Sequence, residues 1–313
     1  MANAKLPTHQ TTSWIANTVT TPPETALSAQ PGFHQLDSSE NSVQSAPPDP
    51  DNPPWSLLQA FLTWIASVVL LLLPQLIALP YLVSHYRGLR PTPEVLFADK
   101  TFIIIVVSGI LPAHLITLIL AWAVVTRLGK VSARKALGWS WEPRFGLWQS
   151  VGLGFLLLVM TWLIAVMLGE KETDMERILL SSRTAALLIA FIATATAPLV
   201  EEIIYRGVLY PALQRSMGAI PAVIIVTLMF AGPHVPQYWP NLAAIFSITL
   251  LSVVLTVIRA RAGRLLPCFV IHLVFNGIQS LIIVFEPNLR ALVEHWRPHA
   301  PTGALTYVVG LLS

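Results

Sequence analysis

The chain has 313 residues, 54% of them hydrophobic and only 11% charged, with a mean hydropathy of +0.65. These values exclude an ordinary soluble core and point to an all-α, polytopic transmembrane helix bundle. The formal net charge of +3 is small and the basic residues fall mostly between apolar runs, so the charge reads as a device for orientation and gives no support to nucleic-acid binding.

Residues 1–54 are rich in Pro, Ser, Thr, Asn and Gln, contain a single basic residue, Lys5, and have no apolar run. Such a segment buries too little surface to offset its ordering entropy, and a disordered tail is expected there. It lacks the basic and apolar regions of a signal peptide and the Arg-rich character of a transit peptide. A solvated linker, or a segment that recruits a partner, are its two uses.

Apolar runs able, or nearly able, to span about 30 Å follow at 55–83, 102–125, 147–168, 185–209, 219–234, 242–258 and 265–285, about seven spans in all. Pro74, Pro80 and Pro112 fall inside the first two and predict kinks. Trp139, Trp141 and Trp148 have the look of an interfacial belt, and 171–182 of a short interfacial helix. The apolar piece at 304–312 is too short to cross and is expected on the surface. The resulting division is a tail at 1–54, two spans and a basic loop at 55–146, a core at 147–286 and an interfacial tail at 287–313. No internal repeat is visible. The basic clusters at 127–135 and 259–264 favour a cytoplasmic N-terminus.

The chemistry concentrates at 185–206, where an uncharged run carries Glu201, Glu202 and, one turn later, Arg206. An ionised side chain at bilayer depth costs roughly 2.5 to 3.5 kcal/mol on insertion scales, so adjacent carboxylates there need a use. On an α-helix Glu202 and Arg206 share a face at i and i+4, whereas Glu201 points about 100° away beside Tyr205. Glu202 is then the neutralised partner and Glu201 is free. Two further constellations lie in apolar surroundings, Phe230 to His234 and His272 to Asn276, the second again at i, i+4.

Peptide hydrolysis in a membrane needs a water, a base and donors for an oxyanion. Glu201 suits the base, His234 can hold the same water, and His272 with Asn276 suit the donors. The plain alternative is that these groups only pin helices together; His114, alone in the second run, is read that way. There is no HExxH and no GxSxG. The only cysteine, Cys268, excludes an intrachain disulfide and a CxxC metal site. Depth poses a difficulty, because Glu201 lies near the far end of its run and His234 ends the next on the opposite side. A long fourth helix continuing through Leu209 toward Met217, or a break of the fifth at Gly232-Pro233, would level them.

The run Glu201-Glu202-Ile203-Ile204-Tyr205-Arg206-Gly207, then Phe230 to His234, then His272 to Asn276, resembles the CAAX prenyl protease and bacteriocin-processing family of intramembrane endopeptidases, the Abi or Rce1-like family. The resemblance covers roughly 147–285 and implies a glutamate-type protease, often named a metalloprotease, acting on membrane-associated or lipid-modified substrates. It implies that Glu201 and His234 activate water, that His272 and Asn276 stabilise the oxyanion, and that Glu202 and Arg206 support them, with Tyr205 and Phe230 beside them. No cofactor is required on this view; if zinc is used, Glu201, His234 and His272 are the candidates. The partners implied are the lipid bilayer and a peptide or protein substrate. The rival functions are a non-enzymatic membrane scaffold or bacteriocin-immunity protein, and a proton-coupled carrier.

Overall fold

The structure, a computed structural model, describes residues 49–169 and 171–296, without side chains at 180, 181 and 286–296. The tail expected over 1–54 therefore lies outside the described residues up to 48, as does the surface segment expected at 304–312. The described residues contain no β-strand, only two isolated bridges.

Among the described residues, seven helices are long and apolar enough to cross a membrane: α1 (Leu57–Tyr86), α2 (Lys100–Thr126), α3 (Leu147–Leu168), α4 (Arg183–Met217), α5 (Ala219–Tyr238), α6 (Leu242–Ala262) and α7 (Leu266–Phe285). The chain is an integral, multi-pass membrane protein. Its outer faces show Met167 at 82%, Ile220 at 76% and Leu58 at 67% exposure, the inverse of a soluble surface and suited to lipid.

The helix starts follow local chemistry. Ser56 and Gln59 form a reciprocal capping box at α1. Asp99 caps α2 by accepting the Thr101 and Phe102 amides, and Asn241 caps α6 through the Ala244 amide. The prolines act less uniformly than the sequence predicts. α1 breaks between Leu70 and Leu73, just ahead of Pro74, whereas Pro80 and Pro112 sit inside helices that run on. The segment expected at 171–182 forms the short helix Asp174–Ser181.

Close packing rests on small residues. A Cβ on Gly109 would lie 2.8 Å from Pro74 Cα, which lets the second half of α1 lie along α2. A Cβ on Gly154 would lie 2.9 Å from Val274 Cγ1, which seats α3 on α7. The main core gathers around α4 at the end of the bundle where α1 begins and α4 stops, with Trp55, Leu137, Val208, Leu209, Tyr210 and Leu213 all buried.

One boundary differs from the expectation. The tail does not extend to residue 54: 50–55 are fastened to the bundle because Arg259, Arg215 and Arg127 grip their carbonyls and the Asp51 carboxylate. The last helix runs on from the end of its apolar span at Phe285 to Trp296.

Candidate active site

α4 is a single 35-residue helix, so Glu201 lies at its middle rather than near an end. It is not uniformly α-helical. Ile192–Thr196 and Glu202–Leu209 are π-helical, on either side of the short α segment Ala197–Glu201. Each widened turn leaves carbonyls for donors outside the helix, and π stretches of this kind gather at functional sites. Nothing in the hydropathy pattern announces them.

The two glutamates sit in different surroundings. Glu202 is fully buried and pairs with Arg206, Nη1 to Oε1 at 2.9 Å, in the i, i+4 arrangement the sequence predicts. Arg206 spends its remaining donors on α6, reaching Ser252 Oγ at 2.9 Å, the Ser252 carbonyl at 3.2 Å and Thr256 Oγ1 at 3.3 Å. Its guanidinium also lies over the Phe230 ring, 4.6 Å from the centroid. A buried arginine so fully occupied is a fixed post on which Glu202 is held.

Glu201 faces a cavity, its side chain 23% exposed. His234, on α5, brings Nε2 to 4.0 Å from Glu201 Oε1; His272, on α7, brings Nε2 to 3.6 Å from Oε2. The opposite nitrogens of both rings are occupied. His234 Nδ1 is 2.7 Å from the Phe230 carbonyl, and His272 Nδ1 is 2.8 Å from Glu202 Oε1. A carbonyl only accepts, so His234 carries its proton on Nδ1 and turns a lone pair toward Glu201. Phe230 stacks on His234 with centroids 5.0 Å apart and meets Tyr205 edge-on at 5.0 Å, which fixes the plane of the ring.

Asn276, one turn beyond His272 on α7, donates Nδ2 to the Ala193 carbonyl in the first π stretch at 3.0 Å. His114, read from the sequence as a lone packing residue, instead lines the same cavity with Nδ1 2.8 Å from Thr196 Oγ1. Its partner comes from the same π stretch, on a different helix, so no sequence spacing could have paired them. The helix break expected at Gly232-Pro233 is absent: α5 continues through both prolines to Tyr238, and the length of α4 alone brings Glu201 level with His234.

The cavity has a volume of about 530 Å³. It extends beyond the space between α4, α5 and α7, with Leu71, Ile110, Thr161 and Ser247 bringing in α1, α2, α3 and α6. Its lining is mostly apolar and includes Glu201, His234, His272, Asn276, Gln279 and Tyr238. Among the described residues no three His, Cys, Asp or Glu side chains are arranged to hold a metal ion.

Residues 183–278 match the family model described as Rce1-like, type II CAAX prenyl endopeptidase Rce1-like. The match opens at the first residue of α4 and closes just beyond Asn276, enclosing all three motifs. Over these residues the chain is similar to that family, in keeping with the resemblance read from those motifs, and the match supports a protease. No curated protein and no solved structure matches the chain.

Proposed function

We propose that the chain is an intramembrane endopeptidase that hydrolyses peptide bonds of membrane-associated or lipid-modified substrates, using water activated by Glu201 and His234. The observation that carries this is the 4.0 Å gap between Glu201 Oε1 and His234 Nε2 inside a cavity among apolar helices. That gap is too long for a direct hydrogen bond and suits one water donating a proton to each acceptor.

The water oxygen attacks the scissile carbonyl carbon while Glu201 takes one of its protons. The carbonyl electrons move to oxygen, and the oxyanion collapses as Glu201 returns the proton to the leaving nitrogen. His234 orients the water, because its Nδ1 is committed to Phe230 and its Nε2 accepts. Asn276 has a second amide hydrogen beyond the one given to Ala193, and this hydrogen is available to an oxyanion. His272, fixed by Glu202 at Nδ1, turns Nε2 into the cavity 3.6 Å from Glu201 Oε2, beside the reacting groups.

The N-terminus is assigned to the cytoplasm, where the loops at 127–135 and 259–264 carry their basic residues. The mechanism needs no metal. Cleavage should therefore persist in 1,10-phenanthroline; loss that zinc alone restores would replace it with a metal-dependent one.

The test is a comparison of membrane peptides from cells carrying the intact chain or Glu201→Ala. The expected result is uncleaved precursor accumulating only with the variant, which inserts and folds normally. Identical peptide populations would favour a scaffold or carrier.

A further inference from the structure

Glu202 and His272 are held from a place outside the cavity. The π stretch Glu202–Leu209 has carbonyls that the helix itself leaves to other donors, and two of them are taken by side chains from elsewhere. Arg259 on α6, fully buried, donates Nε to the Arg206 carbonyl at 3.2 Å. Trp55, 2% exposed, donates Nε1 to the Val208 carbonyl at 2.9 Å.

Both donors belong to one assembly with the peptide that precedes α1. Arg259 Nη1 meets Asp51 Oδ1 at 2.7 Å, and Nη2 meets the Pro50 carbonyl at 2.8 Å. Arg215 donates to the Pro53 and Trp55 carbonyls, and Arg127 to that of Pro54. Gly138 and Gly263, both at positive φ, clear the ground: a Cβ on Gly138 would lie 3.1 Å from Pro50 Cβ, and one on Gly263 3.0 Å from Asp51 Oδ2. Asp51 is the acid that pairs with the Arg259 guanidinium, and without it a buried cation would face two carbonyls and the Tyr210 ring.

We propose that Asp51 and Arg259 are positioning residues for His272, acting through the π stretch. Arg259 holds the main chain of Arg206, the residue whose side chain holds Glu202, and Glu202 in turn fixes Nδ1 of His272. A shift of the Arg206 main chain moves its guanidinium, and the His272 ring then loses its fixed tautomer toward Glu201. The kinetic consequence rests on the assignment of Glu201 as base; the effect on His272 does not.

The test uses the full-length protein in lipid nanodiscs, ¹⁵N-labelled at histidine, with His272 assigned through His272→Gln. Asp51→Ala, Asp51→Asn and Arg259→Lys are compared with Glu172→Ala, which removes an exposed acid. In the wild type and in Glu172→Ala, His272 should show a single Nδ1-protonated signature. In Asp51→Ala and Arg259→Lys it should spread over both tautomers, with Asp51→Asn in between because it keeps an acceptor oxygen. On a farnesylated CAAX peptide the first two should lose about tenfold in kcat or more with KM unchanged. If Asp51→Ala does not fold, the other two variants carry the comparison. An unchanged His272 signature in folded variants overturns the proposal. Retained cleavage by Glu201→Ala would overturn the endopeptidase assignment instead, and the His272 spectra would still decide this one.

Discussion

At the scale of single residues, the site divides its acids into one that is spent and one that is free. Glu202 has a cation, an imidazole and complete burial; Glu201 has a cavity and two imidazoles just beyond hydrogen-bond reach. The division predicts opposite responses to substitution. Arg206→Ala leaves Glu202 buried with the His272 imidazole but no guanidinium and should cost about 3–5 kcal/mol of stability, a loss of the size expected when one partner of a buried pair is removed. Glu201→Ala removes a partly exposed carboxylate and should leave the unfolding temperature in detergent nearly unchanged while abolishing turnover. A thermal melt of both variants checks the contrast; equal melts would mean that Arg206 is not the post on which Glu202 rests. The pairing of Glu202 with Arg206 was legible in the sequence because i, i+4 spacing survives the widened turn. The pairing of His114 with Thr196 was not, because it joins two helices 82 positions apart.

At the scale of elements, α4 shows where sequence reasoning works and where it stops. Its length follows from the need to bring Glu201 level with His234, and the structure supplies that length in one helix. Its two π stretches follow from nothing in the spacing, since a hydropathy pattern records which face is apolar and not which carbonyl lacks a donor. The unbroken α5 has a physical reason as well: Pro removes a donor, but helices packed among neighbours in a membrane tolerate the loss. The start of α2 offers a further test. Burial works to raise the Asp99 carboxyl, but the Phe102 and Thr101 amides and the Tyr81 and Tyr86 hydroxyls outweigh it and hold the group below its ordinary range. A carboxyl lowered on folding adds stability that is present above its unfolded value, about 3.9, and is lost as the pH falls through the folded one. Unfolding temperature should drop through that acid window, and Asp99→Asn should flatten the drop. An equally steep drop in the variant would place the acid sensitivity elsewhere.

For the whole molecule, composition pointed to a membrane protein and the apolar runs to about seven spans, and the large apolar side chains exposed on these helices suit lipid rather than water. Composition misjudged the end of the tail. Pro50 to Trp55 look like linker because they have no apolar run, yet the carbonyls of such a peptide suit arginines at helix ends. Arg259, counted from the sequence as loop charge, is in fact fully buried against Asp51. Orientation therefore rests on the exposed members of the clusters, such as Lys130 and Arg134. With Cys268→Ser as background, a cysteine at Lys130→Cys should react with an impermeant maleimide in inverted vesicles and stay unreactive in right-side-out ones. The reverse pattern would place the N-terminus on the far side.

That Glu201 and His234 act on one shared water is tested most directly by a double-mutant cycle on kcat/KM. The variants are Glu201→Gln, His234→Gln and the pair together, assayed on a farnesylated CAAX peptide in nanodiscs. Residues that act as a unit lose their contribution once, so the double variant should be no slower than the slower single one. Losses that multiply would show two independent contributions and contradict a common water.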